Sequence, residues 1–297
     1  MTVTPQSPQK LHLVSEVLLK QWSQPAPGNE KQIRRFDVNF RKMRFSSPSR
    51  TCYTDELYTL DSQAFEDTWK PVEDKAEPVL SEINSGRQLN NSSIPILMEF
   101  LAIHLIRSFS YWERHRRRLL EMIGTLDLGN IPVEALVAMY RKRHHELYPP
   151  YRNDRTRTEE AWRSNLEDLF NHGPYSADAM MEISKVAHAH LSSHIPKIVH
   201  VGDPSSAFVI SDCPVLPLAG PDGLVQEPFG PTVGAYFFPL GRKYALFTGN
   251  HFQELTSDEV ENLNRLQIVN AKKWVVWSPD DDERGTRITN VNDLWDV

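Results

Sequence analysis

The spacing of hydrophobic residues changes along the chain, and Pro196 separates two kinds of pattern. Before this residue, apolar side chains recur every three or four positions, most regularly from Ile96 to Trp112. Such spacing places apolar residues on one face of a helix, with Pro95 fitting its first turn and Gly124 its end. The pattern therefore predicts a long, largely buried helix in the middle of the chain.

Three further helices are predicted on the C-terminal side of this one. Pro132 opens the first, which ends before Pro149, and Thr158 caps the second. Ser176 caps the third, whose apolar face extends to Leu191. Together the four helices predict a bundle-like core.

The N-terminal part has a less regular pattern. Leu11–Trp22 predicts a buried segment that is helical in its second half, and Gln32–Phe45 alternates weakly, which predicts one or two strands flanked by basic residues. Asp61–Ile83 has helical spacing, and we expect Pro71 and Pro78 to interrupt that helix.

After Pro196, short segments rich in β-branched and aromatic residues alternate with glycine or proline turns, which is typical of strands. These segments are Lys197–Val201, Ala207–Ile210, Gly234–Pro239, Tyr244–Thr248 and Trp274–Trp277. They predict one mostly antiparallel sheet. A helix from Ser257 to Lys273, capped at Thr256, interrupts the series.

The predicted fold class is therefore α+β, a central helical bundle with a C-terminal, mostly antiparallel sheet. The prediction is a single large domain over residues 1–297, helical from about residue 57 to 195 and sheet-rich from about 196 to 279.

Composition narrows the class of protein. The two cysteines, Cys52 and Cys213, have no metal-ligand spacing and cannot form a disulfide framework. The first ten residues are polar, and no stretch approaches the roughly 18 apolar residues that span a bilayer. These features predict a cytoplasmic protein without a membrane segment, and they leave its cofactors unknown.

Charge is unevenly distributed over a chain whose net charge is −6. From Arg107 to Arg163 there are 12 Lys and Arg against 8 Asp and Glu, a balance of +4. Within this stretch, four arginines predict a surface that attracts phosphates: Arg114, Arg116, Arg117 and Arg118. The alternative is a solvated helix face whose arginines pair with nearby glutamates.

Four polar residues in separate apolar segments are candidates for a catalytic site: His12, Arg107, Asp212 and Asn264. Buried polar groups are costly unless they are paired, so we expect the four to converge on a cleft between helices and sheet. An Asp that orients a His as general base, with an Arg to stabilise negative charge, would suit hydrolysis of a phosphodiester or nucleotide.

The structural alternative gives each of these residues a local role. Asp212 would cap a turn ahead of Pro214, Arg107 would pair with Asp212, and His12 would anchor the N-terminal segment. A possible metal pair, His190 and His194, lacks a neighbouring carboxylate, so no metal site is assigned.

Several short blocks resemble one known family. His12-Leu13-Val14, followed by Leu18 or Leu19 and by Trp22, is similar to the opening His-x-Val-Pro-x-x-x-Leu-x-x-Phe signature of bacterial proteins with domain of unknown function 4238. It departs from that signature at Ser15, in place of the proline, and at Trp22, in place of the phenylalanine. Further similar blocks are Thr54–Tyr58, Glu66 with Trp69–Glu73, Ala102–Arg107, Ser211–Val215, and Phe238–Leu240 with Asn264. The resemblance spans nearly the whole chain, and the family has no assigned activity.

Two functions follow as hypotheses. The first is a hydrolase that acts on nucleic acid or nucleotides through the four polar residues. The second is a non-enzymatic binding or regulatory module that docks nucleic acid or a protein partner on its arginine-rich helical surface. The sequence leaves the oligomeric state undetermined.

Overall fold

A computed structural model of the chain describes residues 11–26, 30–54, 62–87, 92–125, 132, 163, 177–220, 223–225, 229, 232–249 and 254–281. The helices in these ranges are α1 Glu16–Leu19, α2 Ser62–Asn84, α3 Ser93–Arg107, α4 Phe109–Thr125, α5 Ala177–Leu191 and α6 Ser257–Asn270. Two short 3-10 turns lie at Lys20–Trp22 and Pro48–Arg50.

The strands at the N-terminal side are β1 Leu11–His12, β2 Gln24–Pro25, β3 Lys31–Asp37, β4 Lys42–Ser46 and β5 Tyr53–Thr54. Those at the C-terminal side are β6 Pro196–Val201, β7 Ile210–Ser211, β8 Leu216–Gly220, β9 Gly223–Leu224, β10 Ala235–Pro239, β11 Tyr244–Thr248, β12 Glu254–Leu255 and β13 Trp274–Trp277. Helices and strands together confirm the predicted α+β class.

The C-terminal strands divide between two sheets, so the prediction of one sheet was wrong. One sheet has the order β12-β6-β11-β10-β8-β9, antiparallel except for the β12–β6 pair. The other has the order β2-β3-β13-β7, with β4 also paired to β3. Strands β13 and β7 thus join the N-terminal hairpin, a choice of partner that alternation along a strand does not encode.

The central strands β10, β11 and β13 are buried on both faces, which explains why they are apolar on both sides. In β10, Phe238 faces a core shared with α2, α3 and α5, whereas Phe237 faces α6. Likewise Val276 in β13 belongs to the large core and Val275 packs with Phe36 under α6. The molecule is therefore layered, with helices on one side of the sheets and α6 on the other.

Helix α2 runs without a break through Pro71 and Pro78, so the predicted interruptions were wrong. Each proline removes one backbone hydrogen bond, but both are exposed, where water can satisfy the freed carbonyl groups. The opposite face is buried from Trp69 to Ile83. The free energy gained by burying that face outweighs the free energy lost with the two backbone hydrogen bonds.

The long helix predicted around Ile96 is two helices. Ser108 is extended, with φ −67° and ψ 145°, and it separates α3 from α4. Helices α2, α3 and α5 pack on one another. The helices predicted to start near Pro132 and Thr158 fall largely outside the described residues, so the central bundle stays a prediction.

Within the described ranges, no single helix is both long and apolar enough to cross a membrane. Only α3 together with the start of α4 reaches that length and composition, as a pair bent by 54°.

Candidate functional site

Arg107 ends α3 with its side chain fully buried at the centre of a charged cluster. Its Nε donates to the carbonyl oxygen of His12, and its Nη1 lies 2.5 Å from a carboxylate oxygen of Glu73. Nη2 is 3.5 Å from Glu66, and the guanidinium carbon lies 4.6 Å from the centre of the Trp69 ring. The arginine therefore ties β1 to α2.

His12 completes this cluster. Its backbone N–H donates to Glu66 at 2.9 Å, its Nδ1 is 3.7 Å from the same carboxylate, and its Nε2 lies 3.2 Å from the carbonyl oxygen of Ser49. Burial lowers the pKa of His12, but the hydrogen bond and charge of Glu66 outweigh it, and the net pKa is raised.

The pKa of Glu66 is shifted in the opposite direction, downward. Burial raises the pKa of its carboxyl group, but His12 and Arg107 outweigh burial and lower the pKa below its ordinary value. The Arg107 guanidinium and the His12 ring thus lie against the carboxylates of Glu66 and Glu73. The arrangement is a paired ionic clamp that links β1, α2 and α3.

Asp212 is buried and faces a different part of the chain. Its two carboxylate oxygens accept hydrogen bonds from the backbone N–H groups of Lys272 and Lys273, at 3.0 and 2.8 Å. Burial raises the pKa of Asp212 to about 6, and these backbone hydrogen bonds counteract it in part. The carboxylate holds the turn between α6 and β13.

Asn264 is likewise buried and paired with backbone groups. Its Oδ1 accepts from the N–H of Val209 at 2.8 Å, and its Nδ2 donates to the carbonyl of Ala207 at 2.8 Å. The side chain fastens α6 to the segment before β7. The structure therefore brings His12 and Arg107 together, and it gives Asp212 and Asn264 other partners.

Sequence reasoning named Glu66 and Glu73 only in a block that resembles the family and did not assign them to the candidate site. Glu66, Trp69 and Glu73 are three, four and seven positions apart along α2, so they share one helix face. That spacing was the available signal, and the buried Arg107 was the residue that needed partners.

The hairpin of β3 and β4 carries a strong excess of basic residues. Residues 31–50 contain seven Lys and Arg and one acidic residue, Asp37. The six consecutive residues 40–45, which we name the hairpin surface, are all exposed. Within it Phe40 is 68% exposed, Met43 47% and Phe45 54%, so large apolar side chains alternate with exposed basic ones along the same strand.

The register of the hairpin sorts these side chains. Arg34 pairs with Phe45 and Phe36 with Met43, so the apolar residues of β4 lie on one face, with the Arg34 guanidinium 4.9 Å from the Phe45 ring centre. Lys42 and Arg44 point to the other face. Strand β4 pairs only with β3 among the described strands, which leaves its outer edge open.

The arginines of α4 differ in accessibility. Arg114 is half-buried beside Tyr111 and Val215, and burial lowers its pKa. Arg117 and Arg118 are exposed, and the Arg116 side chain falls outside the described part of the structure.

Two lysines after α6 connect the hairpin to α4. The carbonyl oxygen of Lys273 accepts from the N–H of Val38, next to the hairpin turn, and Lys272 Nζ lies 3.3 Å from Glu113 on α4. The basic residues of the hairpin, of this turn and of α4 are therefore on neighbouring elements.

A cleft of about 570 Å³ adjoins the hairpin. Its walls are α1, the start of β3 and the segment from Phe45 to Arg50. The lining is mostly polar, with lysine, arginine, glutamate and serine side chains beside the Phe45 ring.

The two histidines considered for metal binding lie in an aromatic group. His190 Nε2 is 3.1 Å from the Tyr236 hydroxyl, and the rings of His190 and His194 are 5.5 Å apart. Among the described residues there is no group of three or more His, Cys, Asp or Glu side chains that could hold a metal ion.

The family model described as "Protein of unknown function (DUF4238)" matches residues 10–281. No curated protein and no solved structure matches the chain. The matched range includes both sheets, the clamp around Arg107 and the hairpin surface. The chain therefore belongs to the DUF4238 family of proteins of unknown function.

Proposed function

We propose that this protein is a non-enzymatic module that binds single-stranded nucleic acid on the hairpin surface. The observation that carries the proposal is the excess of seven basic residues over one acidic residue in residues 31–50, combined with exposed rings at Phe40 and Phe45. Basic side chains attract the phosphate backbone, and aromatic rings stack on bases.

The arrangement of side chains suits a strand with unpaired bases. Lys42 and Arg44 have no ion pair within the described part of the chain, so their charges are available to phosphates. Phe40 and Phe45 expose ring area on which unpaired bases can stack, whereas a duplex keeps its bases stacked inside.

Protection of an open strand edge is the competing explanation for the charges. Lysine and arginine on an edge strand prevent pairing with another chain. That role explains Lys42 and Arg44 but not Phe40, Met43 and Phe45, because exposed apolar residues on an edge promote association. Ligand binding accounts for both kinds of residue.

Hydrolysis by the four polar residues stays a prediction that their contacts do not favour. Arg107 and Asp212 are fully buried, and both carboxylate oxygens of Asp212 accept backbone amides. A catalytic group must reach a substrate atom, so we propose binding in preference to hydrolysis.

The test is fluorescence anisotropy with a labelled single strand of about 20 nucleotides. In Lys42→Gln/Arg44→Gln we expect affinity to fall about tenfold, and the plot of log K against log salt to flatten by about 1.4 for two lost phosphate contacts. Phe45→Leu, which keeps an apolar side chain but loses the ring, should weaken binding about fivefold.

The matched control is Lys185→Gln/Arg265→Gln, which removes the same charge from exposed positions on α5 and α6. This control variant should bind the single strand like the wild type. In a separate competition experiment, a duplex of the same sequence should displace the single strand from the wild type only poorly. Equal weakening by both double variants, or no binding by the wild type at low salt, would contradict the proposal. Cleavage of the probe would instead support the hydrolase.

A further inference from the structure

The cleft beside the hairpin surface has the size and the chemistry of a small-ligand site. Its volume of about 570 Å³ lies within the roughly 300–1,000 Å³ that is usual for such sites. Phe45 belongs both to the cleft wall and to the hairpin surface, so the two are continuous. A strand bound on the hairpin therefore passes the mouth of the cleft.

Two cations in the cleft have no charged partner among the residues that the structure describes. Lys31 and Arg50 line it with exposed side chains, and neither makes an ion pair within the described ranges. Lys20 differs, because it pairs with Glu16 at 3.4 Å and Glu77 at 3.8 Å. Lys31 and Arg50 are thus the groups available to a phosphate.

A carboxylate in the same cleft restricts the ligand further. Glu30 lines the cleft, is exposed, and has no hydrogen-bond or ion-pair partner for its carboxylate among the described residues. Beside Lys31, it would repel a bare phosphate but would accept hydrogen bonds from sugar hydroxyl groups. The Phe45 ring supplies a stacking wall for a base.

We infer that the cleft holds one ribonucleotide unit, with phosphate at Lys31 and Arg50, base against Phe45 and ribose hydroxyls at Glu30. The inference rests on the proposed function, since it places the unit within a strand bound on the hairpin surface. Its consequence is a preference for RNA over DNA, because only RNA offers the 2′-hydroxyl to Glu30.

The test measures the ratio of dissociation constants for DNA and RNA strands of identical sequence, with uracil in both. For the wild type we expect RNA to bind at least about tenfold more tightly, the value of one hydrogen bond to a charged acceptor. In Glu30→Ala the ratio should approach one. The control Glu182→Ala, at an exposed glutamate of α5, should keep the wild-type ratio.

A second probe separates the cleft from the hairpin surface. Free adenosine monophosphate, followed by NMR or calorimetry, should bind the wild type, and Lys31→Ala/Arg50→Ala should abolish this binding. All positions substituted are exposed, and thermal unfolding verifies that each variant is folded.

Equal affinity for RNA and DNA in the wild type would overturn the inference and leave the proposed function standing. If neither strand binds, the proposed function fails. The experiment with free adenosine monophosphate then tests by itself whether the cleft binds a nucleotide. Binding of the monophosphate that depends on Lys31 and Arg50 would support a nucleotide site in the cleft. Absence of such binding would overturn the inference.

Discussion

Arg107 shows how a single buried charge organises its surroundings. A guanidinium group removed from water is tolerable only when its charge and its N–H groups are matched. Glu73 and Glu66 match the charge, the His12 carbonyl accepts one N–H, and Trp69 covers the guanidinium plane. The clamp thereby fixes the N-terminal segment against α2 and α3.

Replacement of Arg107 by Met should therefore destabilise the protein strongly. The two glutamates would keep their negative charges without the central cation, and we expect the free energy of unfolding to fall by about 3–5 kcal/mol. Urea unfolding followed by circular dichroism measures this change. Arg265→Met on the exposed face of α6 should stay within about 0.5 kcal/mol of the wild type, and a similarly small effect at Arg107 would disprove the clamp.

The pKa of His12 predicts a pH dependence of stability. Because Glu66 raises this pKa above 6.5, the folded protein holds the proton more tightly than the unfolded chain. The stabilisation is complete below pH 6.5 and is lost as the pH rises through the folded value.

The measurement is the difference in unfolding free energy between wild type and His12→Gln, which should be constant below pH 6.5 and shrink as the pH rises above it. Asp212, whose pKa is raised to about 6, also favours the folded state at lower pH. Its contribution is common to both proteins and cancels in the difference. A difference that grows with pH would show that His12 is not stabilised as a cation.

At the scale of elements, a contact between α2 and the β10–β11 turn locks helix to sheet. Asn84, the last residue of α2, donates to the carbonyl oxygens of Leu80 and Leu240, at 2.9 and 3.0 Å. A Cβ on Gly241 would overlap the Asn84 side chain. A side chain at residue 241 would therefore displace the Asn84 side chain from its hydrogen bonds.

Gly241→Ala should lower the free energy of unfolding by about 1–3 kcal/mol because of this overlap. In an Asn84→Ala background the same change should cost much less, so that the double-mutant cycle shows coupling. Gly223→Ala is the control, since a Cβ there meets nothing within 4 Å. If the effects of the Asn84 and Gly241 substitutions are additive, the proposed contact between the helix end and the turn is wrong.

Local patterns predicted several elements well. Strands β11 and β13 have the predicted bounds, and the predicted cap at Thr256 is a capping box with Glu259 at the start of α6. The break at Ser108 and the uninterrupted α2 were not foreseen. Both depend on how the helices pack, because packing decides whether a local interruption is tolerated.

At the scale of the whole molecule, the distribution of charge matters more for nucleic-acid binding than the net charge does. The net charge is −6, while residues 31–50 carry +6, which leaves −12 on the rest. At physiological salt, exposed charges farther apart than about 8 Å are largely screened. A strand in contact with the hairpin surface therefore experiences the local cations rather than the distant carboxylates, which is why binding should weaken steeply with salt.

The sequence by itself determined the α+β class, the positions of β6, β10, β11, β13 and α6 to within about three residues, and the family resemblance that the family match confirms. These follow from short-range periodicity, caps and turn residues, which are local properties of a chain. The single domain over the whole chain stays a prediction.

Only the tertiary structure decided which groups are partners. It pairs β13 with β3, it joins Arg107 to Glu73 instead of Asp212, and it turns Asp212 toward the backbone of Lys272. Each choice depends on contacts between residues tens to hundreds of positions apart, and periodicity does not encode such contacts. For the same reason the basic residues of the hairpin and their neighbouring cleft became a candidate site only in the folded molecule.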